Sequence, residues 1–303
     1  MIEPYILEIK GNSLDDGPGI RTTVFFKGCP LNCIWCHNPE SKLLTPELSY
    51  DASKCIGCGS CISSCPNKAL SPTASGFVNR TVCQKCFTCI PNCPTKALTQ
   101  VGMKLTQAQL LHKLLEDKLF YDLSGGGVTL TGGEATLYAE WLGLLAKQLK
   151  ESGIHILLET CGYFDYEKVR NYLLPYLDII FCDIKLYDRH LHKKYCGVYN
   201  DRILENISQL AADSTKYGFT LLPRIPLIPN ITDTSENLIN IANFLNSIGI
   251  SKIDLLPYNP TWYSKADKIG ASLSQELTML TSWQSQDQLK HMKEIFLSRK
   301  IDC

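Results

Sequence analysis

The sequence predicts an α/β fold in which strands and helices alternate into a partial (β/α)6 TIM-like barrel. The chain has 303 residues, of which 45% are hydrophobic and 20% charged, as in a folded globular domain. Short apolar runs alternate with runs of helical periodicity from Arg21 onwards. Such alternation implies parallel strands joined by right-handed crossovers. About six strand–helix units are too few to close an eight-stranded barrel, so we expect an open one.

The predicted elements follow in order along the chain. The first strand, at 21–27, runs into a cysteine-rich segment. A helix is predicted over 104–120 because leucines recur there at helical spacing, and an apolar strand at 127–131 ends at two glycines. The later predicted strands are 154–159, 178–184, 219–225 and 252–256. The later predicted helices are 138–151, 166–176, a charged stretch after Lys185, 201–212, 235–245 and an amphipathic helix at 274–297.

Charge and hydrophobic patterning exclude several classes of protein. Lys plus Arg number 30 and Asp plus Glu number 30, so bulk charge does not hold the chain on nucleic acid. No apolar stretch approaches the roughly 18 residues that a membrane span requires. The N-terminus lacks the basic region and following apolar region of a secretory signal. We therefore expect a cytoplasmic protein with neither a membrane nor a nucleic-acid partner.

Fifteen cysteines are the most informative feature of the composition, and eleven of them lie between Cys29 and Cys93. Such clustering in a chain without an export signal indicates metal ligation rather than a disulfide framework. Outside this region, Cys161, Cys182 and Cys196 are interpreted as small buried or half-buried residues, and Cys303 as a tail residue without an inferred role.

Two cysteine runs share the spacing Cys-x2-Cys-x2-Cys-x3-Cys-Pro, which is typical of two-cluster bacterial ferredoxins. In that pattern the fourth cysteine of each run ligates the cluster of the other run. The predicted ligand sets are Cys55, Cys58, Cys61 and Cys93 for one [4Fe-4S] cluster, and Cys83, Cys86, Cys89 and Cys65 for the other. The alternative is a pair of structural zinc sites, although zinc sites usually show two separated pairs of ligands. The spacing therefore favours a ferredoxin-like segment.

A third group, Cys29, Cys33 and Cys36, has the spacing Cys-x3-Cys-x2-Cys and no fourth cysteine nearby. Three thiolates on a four-iron cluster leave one iron without a protein ligand, and an open metal position is what chemistry requires. The alternative is a fourth ligand from a distant part of the chain, such as Cys161 or Cys196.

Polar residues and glycines follow the predicted strands. They are Gly132, Gly133 and Glu134, then Glu159 and Thr160, Asp183 and Lys185, Arg224, and finally Pro257, Tyr258 and Asn259. Each has an ordinary explanation as a loop, cap or solvated strand end. Because parallel strands end at one edge of a sheet, however, these residues are expected to converge beside the open iron. Their joint placement predicts a site for a zwitterionic ligand.

Five segments carry a family resemblance. They are residues 16–21 (Asp-Gly-Pro-Gly-Ile-Arg), residues 28–39 around the cysteine triplet, residues 125–134, residues 183–185 (Asp-Ile-Lys) and residues 255–258 (Leu-Leu-Pro-Tyr). In these segments the chain resembles the radical S-adenosylmethionine enzymes, and within them the glycyl-radical-enzyme activating enzymes with a ferredoxin-like two-cluster insert. The resemblance divides the chain into a first barrel part at 1–46, the insert at 47–100, and the remaining barrel with its C-terminal helix at 101–303.

The resemblance implies an activity and a ligand. The cluster on Cys29, Cys33 and Cys36 would bind S-adenosylmethionine at its open iron and deliver one electron. The resulting 5′-deoxyadenosyl radical would abstract hydrogen from a backbone glycine of a partner enzyme. The implied contacts are Trp35 and His37 beside the adenine, Gly132, Gly133 and Glu134 at the methionine amino group, and Asp183, Lys185 and Arg224 at the methionine or ribose.

A monovalent cation site is also implied, formed by Glu159, Thr160, Asp183 and the carbonyl of Phe181. Two positions depart from the family pattern. Asn259 stands where a histidine often follows Leu-Pro-Tyr, and Glu159 stands where a related cation site has an aspartate with a shorter side chain.

The insert clusters are expected to relay electrons from a ferredoxin or flavodoxin, and the rival role is structural or in docking the partner. Two other functions compete with activation of a glycyl radical enzyme. One is a radical enzyme that acts directly on a small molecule with the help of auxiliary clusters. The other is a multi-cluster electron-transfer protein.

Overall fold

A seven-stranded, mostly parallel sheet forms the centre of the computed structural model, which describes residues 2–74, 76–271 and 280–303. The strands are β1 (Ile6–Ser13), β2 (Arg21–Phe26), β3 (Glu47–Tyr50), β4 (Leu98–Val101), β5 (Gly127–Gly132), β6 (His155–Thr160), β7 (Ile179–Asp183), β8 (Thr220–Leu227) and β9 (Asp254–Pro257). The order in the large sheet is β1-β2-β5-β6-β7-β8-β9. All of its neighbouring strands are parallel except β1 and β2. The six parallel strands predicted from the sequence are thus confirmed.

Helices of the described residues lie between the strands and after the last one. They are α1 (Ser60–Ser63), α2 (Gln107–Leu115), α3 (Lys118–Ser124), α4 (Ala139–Glu151), α5 (Tyr166–Tyr172), α6 (Arg189–Cys196), α7 (Asp201–Tyr217), α8 (Ser235–Ser247), α9 (Tyr263–Lys268) and α10 (Gln286–Leu297). Side-chain caps fix several starts: Thr106 and Ser285 form capping boxes, and Thr234 accepts from the Asn237 amide. Within the described residues, no helix combines the length and apolar character of a membrane span.

Three sequence predictions differ from the observed elements. The predicted helix at 104–120 is two helices, because the chain leaves helical geometry at Asp117, whose carboxylate accepts a hydrogen bond from Thr22 at 2.6 Å. The predicted helix at 274–297 begins only at Gln286, where Ser285 caps it; positions 274–279 lie outside the described residues. Strand β1 was not predicted, because its half-exposed, mostly polar residues give only weak alternation.

Apolar side chains of the strands pack against the surrounding helices to form one large core. Val128, Leu130 and Ile156 are fully buried in the sheet, and Leu142 and Leu145 of α4 are fully buried above it. Burying an aliphatic side chain of this size stabilises the fold by about 1.5–3 kcal/mol. This core fixes the positions at which the parallel strands end.

Arg21 occupies the amino-terminal end of the barrel and is fully buried. Its Nε donates to Thr129 Oγ1 at 2.7 Å, and its Nη2 donates to the Val128 carbonyl at 2.6 Å. Its Nη1 donates to the carbonyl of Pro18, in the turn between β1 and β2, at 3.2 Å. In the same turn Gly19 has φ +68°, and a side chain there would collide with the backbone of Gly126. The Asp-Gly-Pro-Gly-Ile-Arg segment therefore folds the turn back onto the barrel.

Residues between β3 and β4 form a small unit of their own. The two strands pair antiparallel and enclose both cysteine runs. A separate apolar cluster, which includes Leu48, Leu70, Val78 and Leu98, lies among them. Lys27 of the barrel, fully buried, joins this unit through an ion pair with Glu47 at 2.9 Å.

We expect Arg21→Leu to lower the free energy of unfolding by about 3 kcal/mol, because it leaves buried carbonyls of the turn and sheet without a donor. The urea midpoint, followed by tryptophan fluorescence, measures the change. Arg170→Leu is the control, because Arg170 pairs with Glu167 on the surface and such pairs contribute under about 1 kcal/mol. Equal midpoints for the two variants would contradict the role assigned to Arg21.

Candidate active site

A cavity of about 320 Å³ opens at the carboxyl ends of the parallel strands. The predicted site residues that line it are Cys29, Cys33, Trp35, Cys36, His37, Gly132, Gly133, Glu159, Thr160, Asp183, Lys185 and Arg224. Glu134 and Phe181 do not line it. The convergence follows from topology, since β2 and β5–β9 run in one direction and their final residues meet at one edge.

The loop with the cysteine triplet is held by backbone hydrogen bonds from two sides. Gly28 N donates to Ser41 O at 2.6 Å, and Cys29 N donates to Lys42 O at 3.1 Å. On the other side, Asn32 N donates to Cys196 O at the end of α6 at 2.8 Å. The loop is therefore fixed before any ligand binds.

The three thiols of this loop fit a four-iron cluster with one open position. All three line the cavity, and they are half-buried or buried. Burial raises the pKa of Cys36 to about 12, so its thiolate form needs a neighbouring positive charge such as iron supplies. Thiolates are the usual protein ligands of iron–sulfur clusters.

The two cysteines considered as distant fourth ligands lie against the triplet. The Cys161 thiol lies near enough to Cys29 to shift the pKa of Cys29, and the Cys196 thiol near enough to Cys33 to shift the pKa of Cys33. Cys161 lines the cavity, whereas Cys196 is fully buried and does not. Both are neighbours of cluster ligands, where a hydrogen bond to sulfur affects the reduction potential of a cluster. Burial of Cys161, Cys182 and Cys196 agrees with the sequence interpretation.

Glu134 is buried, and its carboxylate accepts hydrogen bonds from other residues of the protein. Its Oε1 accepts from the hydroxyls of Thr136 and Thr160 at 2.6 and 2.8 Å, and its Oε2 accepts from Cys161 N at 2.7 Å. The carboxylate therefore ties the end of β5 to the end of β6. Gly132 and Gly133 line the cavity and Glu134 does not, and the contact of Glu134 with a methionine amino group stays a prediction. A side chain at Gly133 would collide with the Gly28 carbonyl, so only glycine permits this close approach.

Four charged side chains form a neutral network on the cavity wall. Lys185 Nζ lies 2.8 Å from Asp183 Oδ2, and Arg224 Nη1 lies 2.8 Å from Glu159 Oε1. Arg224 Nε and Asp183 Oδ1 are 3.5 Å apart, and neither atom has a hydrogen-bond partner among the described residues. These two buried atoms are the donor and acceptor that the wall can offer a zwitterion.

Burial and pairing act against each other on the charges of this network. Burial raises the pKa of Glu159 above its usual value, although Arg224 opposes the effect. Burial also acts to raise the pKa of Asp183, but Lys185 and Arg224 outweigh it and hold that pKa below its usual value. Removing either cation would therefore leave a buried carboxylate without compensation.

The predicted cation-site residues already have partners within the protein. Arg224 lies between the carboxylates of Glu159 and Asp183, and its guanidinium is 4.9 Å from the centre of the Phe181 ring. The Thr160 hydroxyl donates to Glu134. In residues 2–74, 76–271 and 280–303, no three or more His, Cys, Asp and Glu side chains are grouped to hold one metal ion. A monovalent cation there stays a prediction and would compete with a guanidinium.

Trp35, His37 and Tyr258 contribute aromatic rings to the cavity lining. His37 stacks on Trp262 with ring centres 6.1 Å apart, and its Nε2 is buried with no hydrogen-bond partner among the described residues. Burial, assisted by Lys265, lowers the pKa of His37 to about 4, so the ring is neutral at pH 7. Trp35 is almost fully buried and packs towards Tyr195 at 6.4 Å.

Sequence reasoning missed some residues of the site. Thr131, which lines the cavity and donates to Glu159 at 2.7 Å, ends a predicted strand and could have been found by that position. Trp262 has no such signal, because its contact with His37 depends on how the chain folds back after β9. Asn259 lines the cavity, but its Oδ1 accepts from Thr261 N at 2.9 Å as the cap of a short helix.

Two further cavities lie beside the cysteine runs between β3 and β4. One, of about 430 Å³, is lined by Cys55, Cys58, Cys61 and Cys93. The other, of only about 10 Å³, is lined by Cys65, Cys83, Cys86 and Cys89. Each cavity gathers three cysteines of one run and the fourth cysteine of the other.

We expect Arg224→Met to destabilise the fold by about 3 kcal/mol at pH 8 and by less at pH 5.5. Without the guanidinium, the pKa of buried Glu159 in the folded state rises further above its value in the unfolded state. The loss of stability therefore disappears as the pH falls, because the Glu159 carboxylate becomes protonated. Urea midpoints at the two pH values measure this. The double variant Arg224→Met/Glu159→Gln should recover part of the loss. An equal loss of stability at both pH values would contradict the role assigned to the pair of Arg224 and Glu159.

Comparison with known proteins shows the family to which the chain belongs. Residues 23–245 match the family model of the Radical SAM superfamily. The trans-4-hydroxy-L-proline dehydratase activating enzyme of Clostridioides difficile is 37% identical over 300 residues, which cover 97% of each chain. The (2S)-3-sulfopropanediol dehydratase activating enzyme of Klebsiella oxytoca is 34% identical over 98% of this chain and 95% of its own. The benzylsuccinate synthase activating enzyme of Thauera aromatica is 38% identical over 84% of this chain and 78% of its own.

A solved structure supports the fold. The radical SAM methyltransferase from Sphaerobacter thermophilus matches with a TM-score of 0.56 at 15% identity, over all of this chain and 76% of its own. Family membership gives the chain a [4Fe-4S] cluster and S-adenosylmethionine as cofactors. The chain belongs to the Radical SAM superfamily and, within it, to the activating enzymes of glycyl radical enzymes.

Proposed function

We propose that Cys29, Cys33 and Cys36 hold the cluster of this activating enzyme and that S-adenosylmethionine occupies the 320 Å³ cavity. The observation that carries the proposal is the presence of three thiols, two glycines and a neutral charged network on the walls of one cavity. When bound, the cluster supplies one electron to the sulfonium, whose cleavage gives methionine and a 5′-deoxyadenosyl radical. That radical takes a hydrogen atom from a glycine of the partner glycyl radical enzyme.

The protein binds and orients the substrate. We assign the methionine carboxylate to Lys185 and Arg224 Nε, and an amino or hydroxyl donor to Asp183 Oδ1, because Arg224 Nε and Asp183 Oδ1 are buried without a hydrogen bond and make only a 3.5 Å ion-pair contact with each other. Gly132 and Gly133 let the backbone approach the methionine amino group. His37, neutral and aromatic, and Trp35 flank the adenine. The walls keep water and other hydrogen donors away from the radical.

Residues 47–100 are proposed to be a ferredoxin-like insert with two more [4Fe-4S] clusters, between barrel parts at 1–46 and 101–303. The two cysteine-lined cavities support this, because each contains the ligand set that the crossed ferredoxin spacing requires. The separate apolar cluster of the segment supports a unit with its own core.

The insert is proposed to relay electrons from a ferredoxin or flavodoxin to the triplet cluster. Cys58 and Cys86 are exposed, so each proposed cluster has one ligand at the surface where a donor protein could dock. The three relatives named above are 34–38% identical and are named for two different dehydratases and a synthase, so the partner is assigned here only as a glycyl radical enzyme.

Anaerobic reconstitution with iron and sulfide should give about twelve irons per chain, which corresponds to three four-iron clusters. After reduction with dithionite, added S-adenosylmethionine should yield 5′-deoxyadenosine. Cys36→Ala should abolish the product because it removes a ligand of the substrate-binding cluster. Cys182→Ala, a buried cysteine outside the cavity, is the control. A count of about eight irons, or undiminished product in Cys36→Ala, would contradict the assignment.

The relay predicts different responses to two reductants. Cys55→Ala and Cys83→Ala should slow deoxyadenosine formation driven by reduced flavodoxin, because each removes a ligand of an insert cluster. Dithionite-driven formation should persist, because dithionite reaches the triplet cluster without the insert. Cys303→Ala, at the chain end, is the control. Normal flavodoxin-driven turnover in folded Cys55→Ala and Cys83→Ala would overturn the relay.

A further inference from the structure

The segment after β9, residues 260–271, crosses from the cavity to the insert, and we refer to it as the strap. It consists of a short 3-10 helix, Pro260–Trp262, followed by α9. Its first part does not line the cavity itself but packs against His37, which does. Trp262 is almost fully buried, its Nε1 donates to Tyr258 Oη at 3.1 Å, and His37 stacks on its ring.

The middle of the strap contacts the chain just after the cysteine triplet. Lys265 Nζ donates to Asn38 Oδ1 at 2.9 Å and lies 3.7 Å from Glu40 Oε1. Asn38 follows Cys36 by only two residues and lines the cavity. One side chain of α9 is thus bound to the loop of the triplet.

The far end of the strap contacts the insert at two places. Lys268 Nζ lies 2.9 Å from Asp51 Oδ2, at the end of β3. Arg80 Nη2 donates to Lys268 O at 3.0 Å, and Arg80 Nη1 donates to Leu48 O in β3. The last carbonyls of a helix lack partners within the helix, so a guanidinium is well suited to end α9.

Arg80 also stands close to the second cysteine run. It precedes Cys83 by three residues, and the Cys83 thiol lies near enough to act on its charge. At Gly270, which has φ +66°, an added Cβ would approach Arg80 Nε to 3.0 Å. Glycine here lets the strap lie close against the guanidinium. The same short segment therefore touches the cavity wall, the triplet loop and the insert.

We infer that the strap, through Lys265, Lys268 and Arg80, holds the insert in a fixed position against the triplet loop and so sets the path for electrons leaving the insert. The role in electron transfer rests on the proposed relay, whereas the attachment itself, which we call the clamp, rests on the contacts of these three residues. Electron transfer between clusters falls steeply with distance, so a small displacement of the insert slows it. Lys265, Lys268 and Arg80 are positioning residues and contact no reacting atom.

The test reverses the charge of one contact and then restores it. Lys268→Asp places two acids opposite one another, whereas Lys268→Asp/Asp51→Lys exchanges the pair. Lys147→Asp is the matched control, because Lys147 forms a surface pair with Glu151 within α4, away from the insert. All four proteins, including wild type, are studied as reconstituted holoenzyme.

Two measurements are made on each protein. We expect amide exchange of α9 and of residues 79–83 to be about fivefold faster in Lys268→Asp, and flavodoxin-driven deoxyadenosine formation to fall about fivefold. Dithionite-driven formation should equal that of wild type. The exchanged pair should restore both the exchange rates and the flavodoxin-driven rate, and Lys147→Asp should change neither.

The outcomes separate the clamp from the relay. Unchanged amide exchange in Lys268→Asp overturns the clamp, whatever the turnover. Faster exchange with an unchanged flavodoxin-driven rate, while Cys83→Ala is slow, overturns the role of the clamp in electron transfer. Normal flavodoxin-driven turnover in Cys83→Ala instead overturns the relay, and the exchange measurement still decides whether the strap holds the insert.

Discussion

The common direction of β2 and β5–β9 is the constraint on which the site depends. Parallel strands require that every crossover return to the same end of the sheet, so all six carboxyl ends lie at one edge. The thiols after β2, the glycines after β5 and the charges at the ends of β6–β8 then share one cavity. A reversed strand would remove its residue from the site altogether.

Within that cavity, buried charge is tolerated only because it is balanced. Glu159 and Asp183 face Arg224 and Lys185, and the network is neutral before a ligand arrives. A zwitterion such as the methionine part of S-adenosylmethionine also brings no net charge at its amino and carboxylate groups, so it can exchange partners with the network without leaving a buried charge uncompensated. Glu134 contributes differently, since its hydrogen bonds join two strand ends and its carboxylate stays out of the cavity.

The cysteine-rich segment lies outside the large sheet. It has its own small sheet and apolar cluster, and it is attached through Lys27 and Glu47 on one side and through α9 on the other. Charged side chains form both attachments. The strap also packs against His37 of the cavity wall, so one element contacts both the cavity wall and the cysteine-rich segment.

The sequence by itself determined the alternating fold, the three cysteine groups and most of the residues that line the cavity, because local spacing and strand ends encode them. It could not separate the helix at 104–120 into two, nor reveal that the Glu134 carboxylate bonds to Thr160 and Cys161 within the protein, since both depend on hydrogen bonds to distant residues. The contact of Trp262 with His37 and the attachment of Arg80 to α9 join residues 225 and 188 positions apart. Only tertiary structure decides such contacts, because no local pattern specifies which distant side chain fills a given space.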